Sequence, residues 1–128
     1  MEDESKFGYE KLVVWQRAIE WACAIINVIE ELDTDRKHYR LIEQLESAST
    51  SVAMNIAEGK GRYSKKEFVQ FLFIARGSLY ETLTLLEIFQ RCMWMEASLF
   101  TKLKSDAAEI AKMLNSLINS IKSAQNGL

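Results

Sequence analysis

Four cations fall within seven residues at Lys60, Arg62, Lys65 and Lys66, with Tyr63 among them and Arg76 farther along. Cations so grouped suit phosphate groups, which are held by charge and fix orientation without reading a base sequence. Lys65 and Lys66 also fall in the first turn of an expected helix, where the macrodipole disfavours positive charge. Something other than local helix stability is needed to explain them. Phosphate contacts would do so, and solvated lysines on the end of a bundle are the bland alternative. Arg36, Lys37 and Arg40, with Tyr39, form a second cluster. Residues 36–76 hold eight Lys/Arg against four Asp/Glu, and the rest of the chain eight against fourteen, so a formal net charge of -2 conceals a basic block.

Other chemistries are poorly supplied. The single histidine, His38, cannot build the paired Glu-x-x-His ligands of a di-metal bundle, and no nucleophile motif accompanies it. It reads as a solvated side chain in a polar first turn. Gly59 and Gly61 lack the Gly-Lys-Ser/Thr ending of a phosphate-cradling loop. Cys23 and Cys92 read as packing residues rather than reactive thiols. No catalytic residue, metal or cofactor is expected, and the chain is read as a non-enzyme.

Asn55, Glu58, Ser78 and Glu81 fit least well as plain surface. Asn55 and Glu58 stand in the last turn of one expected helix, where a carboxylate faces the negative end of the dipole. Ser78 and Glu81 stand one turn apart among core positions of the next. Their simplest reading is a hydrogen-bonded network that fixes bundle register or a contact between subunits. Arg62, four residues beyond Glu58, is placed to pair with it.

The elements that position these residues are long helices. The 128 residues contain no proline and five glycines, with 48% hydrophobic content, which deprives a β fold of turns and suits uninterrupted helix. Helices are expected at about 9–32, 35–58, 65–91 and 97–123. The third is announced by a capping box with Ser64 at the N-cap and Glu67 at N3, and Gly59 stands where a C′ glycine would end the second. Asp33 and Asp35 are candidate N-caps. In the first helix two heptad series coexist, Leu12, Trp15, Ile19, Ala22, Ile26, Ile29 and Val14, Ala18, Trp21, Ile25, Val28, Leu32. Together they span an arc of about 200°, twice what a surface helix needs. The second series is buried either by the chain itself or by another subunit, and Val14, Trp21, Ile25 and Val28 are the candidate oligomer interface.

Short turns between such helices dictate antiparallel neighbours, so the expected fold is all-α, an up-down-up-down four-helix bundle over 1–128. The acidic start, Met1 to Glu4, is unlike a signal peptide, and no apolar run is long enough for a membrane span. A cytoplasmic location, with no membrane partner, is the expectation.

Several motifs also resemble one family. Tyr9 to Ala18, Gln44-Leu45, Ser51, Asn55-Ile56-Ala57-Glu58-Gly59, and Arg62 to Glu81 with its Ser64-Lys-Lys-Glu67-Phe68 core are similar to the four helix bundle proteins. These are encoded by intervening sequences in 23S rRNA genes and are also labelled ribosomal-protein-like. Ser47-Ala48 stands where that family usually has an arginine-alanine pair. The resemblance implies assembly into a ring, typically a homopentamer, and a link to RNA, above all rRNA. It also implies kinship with the accessory bundle of reverse transcriptases in diversity-generating retroelements, which makes a protein-interaction scaffold the competing reading.

Overall fold

A computed structural model of the chain describes residues 7–32, 34 and 38–125. The first helix is shorter than its heptads suggest. Gly8–Lys11 forms a 3-10 turn, Leu12 adopts extended backbone (φ -79°, ψ 121°), and α1 runs Val13–Ile29. Side chains tie the turn down: the Phe7 N–H donates to Glu10 Oε1 at 3.0 Å, and Gln16 Nε2 donates to the Glu10 carbonyl at 2.8 Å. The Tyr9 ring meets Trp15 edge-on at 5.0 Å. A sequence pattern of apolar positions does not register these polar ties.

Three longer helices follow, α2 (Tyr39–Lys60), α3 (Lys65–Arg91) and α4 (Ala97–Gln125). The candidate caps Asp33 and Asp35 lie outside the described residues, as do Arg36 and Lys37. The capping box of α3 forms as its spacing predicts: Glu67 N–H donates to Ser64 Oγ at 3.2 Å, and Ser64 N–H to Glu67 Oε2 at 3.3 Å. Gly59 is not a cap. It lies inside α2 and is buried, and a Cβ there would stand 2.6 Å from Phe71 Cβ and 3.0 Å from Phe68 Cδ1. Its role is close approach between helices. At the end of α3 the Trp94 N–H donates to the Phe89 carbonyl (2.9 Å) and the Met93 N–H to that of Gln90 (3.0 Å). This is a Schellman motif with Met93, φ 65°, in the left-handed position usually given to glycine. Its apolar contact is Trp94 on Phe89, rings 5.0 Å apart.

The helix backbones come within 8 Å only between neighbours around a square, α1/α2, α2/α3, α3/α4 and α4/α1. That is the antiparallel four-helix bundle. Ile25, Leu45, Val52, Ile56, Leu72, Leu79, Leu86, Phe89 and Leu114 are all fully enclosed. Each such side chain contributes about 1.5–3 kcal/mol relative to exposure.

Of the two burials open to the second series of α1, the structure shows the one within the chain itself, so its candidate role as an oligomer interface gives way. Val14, Trp21, Ile25 and Val28 are buried in the chain's own core, and Trp21 Nε1 donates to the Leu103 carbonyl at 3.0 Å. They are not available to another copy. The first series is divided: Ile19 and Ile26 are 37% and 40% exposed, Ala22 is buried, and Leu12, Trp15 and Ile29 are half-buried against the core. Either seam satisfies the heptad; the one that turns inward buries Ala18, Trp21 and Ile25 and also places the Trp21 N–H within reach of the Leu103 carbonyl, far off in sequence.

Two further expectations change. His38 is half-buried rather than solvated, its ring 4.4 Å from that of Trp94. Both free cysteines are exposed, Cys23 on the outward arc of α1 and Cys92 at the C-cap of α3. Among the described residues no helix is long and apolar enough to cross a membrane.

Candidate nucleic-acid interface

The close approach at Gly59 brings the end of α2 against the start of α3 and gathers the predicted cations at one end of the bundle. Lys60 and Lys65 lie on either side of the turn, their Nζ atoms 5.7 and 5.9 Å from the centroid of the same ring, Phe68. A cation over an aromatic face gains about 0.5–1 kcal/mol at exposed sites, which holds both ammonium groups over this corner. Lys66 is exposed on the next position, and Tyr63 at the apex is fully exposed. The Gly8 backbone adjoins the Lys60 stem, 3.5 Å from where a Gly8 Cβ would stand.

Arg62 differs from its lysine neighbours. Its guanidinium lies 4.7 Å from the Phe71 centroid and pairs with Glu58 Oε1 at 2.6 Å, so its charge is partly cancelled before any ligand arrives. With both side chains well exposed, the pair adds about 0.3–0.5 kcal/mol to stability. The pairing is the one that the four-residue spacing anticipates.

Arg76 does not belong to this corner. It lies eleven residues beyond Lys65, about 16 Å along α3. It turns to α4, donating to Asn115 Oδ1 at 2.9 Å with its guanidinium 4.8 Å from the Phe73 centroid. Lys122, which sequence reasoning passed over in the last turn of α4, has its Nζ 4.8 Å from the same centroid. Arg17 and Arg91 lie against Glu109 and Glu87. The polar partner of Arg76 is a neutral amide, so its charge is kept.

The expected polar network exists with different members. Ser51 Oγ and Ser78 Oγ share a hydrogen bond of 2.8 Å, Asn55 Nδ2 donates to Ser51 Oγ at 2.8 Å, and Thr82 Oγ1 donates to the Ser78 carbonyl at 2.7 Å. Ser51 and Thr82 replace Glu58 and Glu81, of which the first is taken by Arg62 and the second is exposed. Short polar side chains fit between closely spaced helices where a glutamate does not. The network is a structural link between α2 and α3, with no titratable member.

Two concavities complete the surface. Trp15, Ile19, Cys23 and Ile26 of α1 face Ala53, Met54 and Ala57 of α2 across an apolar groove of about 570 Å³. At the end opposite the basic corner, Leu32, Met93, Trp94 and Met95 with Glu31 and Glu96 line a cleft of about 580 Å³. Among the described residues no group of three or more His, Cys, Asp or Glu is placed to hold a metal ion, and nothing in their arrangement points to catalysis.

No curated protein matches the chain significantly. Among solved structures it is similar to a protein of unknown function from the S23 ribosomal protein family of Bacteroides thetaiotaomicron VPI-5482. The two share 29% identity and a TM-score of 0.77, over 83% of this chain and 98% of that one. The model of the 23S rRNA-intervening sequence proteins matches residues 10–116, which spans the basic corner and most of all four helices, and the chain belongs to that family.

Proposed function

We propose that the chain is a non-enzymatic RNA-binding bundle whose basic corner, Lys60, Lys65 and Lys66 assisted by Arg62, holds the phosphates of structured RNA, with rRNA the first candidate. One observation carries the reading. Lys60 and Lys65, from opposite sides of a turn, stand over a single ring beside the exposed Lys66, on a chain with more acids than bases. Each lysine that meets a phosphate lowers the slope of log K against log salt by about 0.9. A binding titration against a structured rRNA fragment at two salt concentrations tests it. Tight binding at low salt that is lost in Lys65→Glu/Lys66→Glu supports the reading, and binding indifferent to that double reversal sinks it.

The apolar α1/α2 groove favours a second element: copies of the chain associate through its residues Trp15, Ile19, Ile26 and Met54, in place of the buried seam. A closed ring such as a pentamer would repeat the corner and make a weak site multivalent. The scaffold reading, including service as an accessory subunit of a reverse transcriptase, uses the same groove without RNA. Capture of a protein partner that survives nuclease treatment would favour it. Two exposed thiols suit a reducing cytoplasmic setting.

A further inference from the structure

Phe73 and Tyr80 are exposed aromatic residues on α3, 36% and 50% accessible. Seven residues apart, they stand on one stripe of the helix with a rise of about 10.5 Å between them. Gly77 lies between them on the same face. A mid-helix glycine costs about 1 kcal/mol relative to alanine, and at Gly77 no neighbour demands it, since a Cβ there would meet nothing within 4 Å. The packing of the bundle therefore does not account for Gly77, whereas close approach of a ligand to the helix backbone does. Beside this bare stretch, Arg76 and Lys122 each stand 4.8 Å from the Phe73 centroid, and Asn115 steadies the guanidinium without neutralising it.

Exposed rings beside cations, with a flat gap between, are the ingredients of a single-strand site: bases stack on the rings or on the guanidinium plane while the cations follow the phosphates. Bases seated on Phe73 and Tyr80 would be separated by about three times the 3.4 Å rise of a stacked strand. A base seats on either ring only where it is unstacked from its neighbours, which selects an unpaired segment over a duplex. We propose that the outer α3/α4 face around Phe73, Arg76, Gly77, Tyr80 and Lys122 binds single-stranded RNA, next to the end corner that holds phosphates of structured RNA. The ligand class rests on the RNA reading above, while the face is a different one.

The test is a fluorescence-anisotropy titration of the full chain with an unstructured 12-nucleotide RNA and a duplex of the same length. The 12-mer should bind more tightly than the duplex. Phe73→Ala and Tyr80→Ala should each weaken it about tenfold with the salt slope unchanged, because a ring contacts no counterion. Arg76→Gln and Lys122→Gln should each make the slope shallower, less negative by about 0.7. Gly77→Ala should raise the Tm and yet weaken binding, a pair of effects that a purely structural role does not produce. Preference for the duplex, wild-type affinity in the Tyr80→Ala and Gly77→Ala variants, or sedimentation showing that these substitutions change the oligomeric state instead would overturn the proposal. The two sites fail separately. Ring variants that leave binding of the 12-mer intact while Lys65→Glu/Lys66→Glu abolishes rRNA binding remove this face and keep the corner; ring variants that lose the 12-mer while the double reversal leaves rRNA binding intact remove the corner and keep this face. Absence of binding to either RNA removes both.

Discussion

Gly59 in α2 and Phe71 in α3 are in contact so close that a methyl group on Gly59 would stand 2.6 Å from Phe71 Cβ. The atom in the way is fixed to the backbone of α3, so relief requires the two helices to part. Gly59→Ala should therefore destabilise the bundle by about 1–3 kcal/mol, outweighing the gain of about 1 kcal/mol in helix propensity. Urea unfolding checks it, and a midpoint at or above the wild-type value would contradict the packing described.

Substitutions in the two seams of α1 separate two effects that the heptads alone cannot. Trp21→Ala should cost about 3–5 kcal/mol, since it empties a core site and forfeits the bond to Leu103. Ile19→Asp and Ile26→Asp should each cost only about 1 kcal/mol of unfolding stability, since both are partly exposed, while reducing any assembly in sedimentation. Loss of assembly without loss of stability in Trp21→Ala would reverse this assignment.

Ser64→Ala removes the acceptor for the Glu67 N–H and half of the capping box, at a cost of about 1 kcal/mol. Ser64→Asp, which keeps an acceptor and adds a charge favoured at that terminus, should recover most of the loss. Thermal unfolding of the two variants side by side decides it.

Met93 carries the one positive φ among described residues other than glycine. Left-handed backbone costs such a residue about 1–2 kcal/mol. Met93→Gly should thus stabilise the protein by about 1 kcal/mol after the added freedom of the unfolded glycine is counted, read as a higher urea midpoint with an unchanged m value.

What the sequence discloses here is what depends on neighbours along the chain. The Ser64 cap and the Glu58–Arg62 pair are set by spacings of three and four residues, and each appears as the spacing requires. The misread features depend on what stands opposite. Gly59 has the look of a helix stop until Phe71 is known to lie against it. Val14, Trp21, Ile25 and Val28 have the look of a subunit surface until the carbonyl of Leu103 is known to lie within reach. Along the chain Arg76 reads as one more cation after the turn, but its side chain lies against Asn115, thirty-nine residues away. Ser51 and Thr82 give no signal in the sequence, because a short hydroxyl side chain is inconspicuous until two helices close around it.

Lys11, Lys60, Lys65 and Lys66 lie at one end of the bundle, and Glu30, Glu31 and Glu96 at the other. Glu10, Glu58 and Glu67 offset part of the charge at the first end, and Arg40 and Arg91 part of that at the second, so among the described residues the lysine end keeps a modest positive excess despite the chain's net charge of -2. For the polyanion proposed above, that excess would favour encounters that begin at the lysine end. The association rate should fall steeply as ionic strength rises, while unfolding stability scarcely changes.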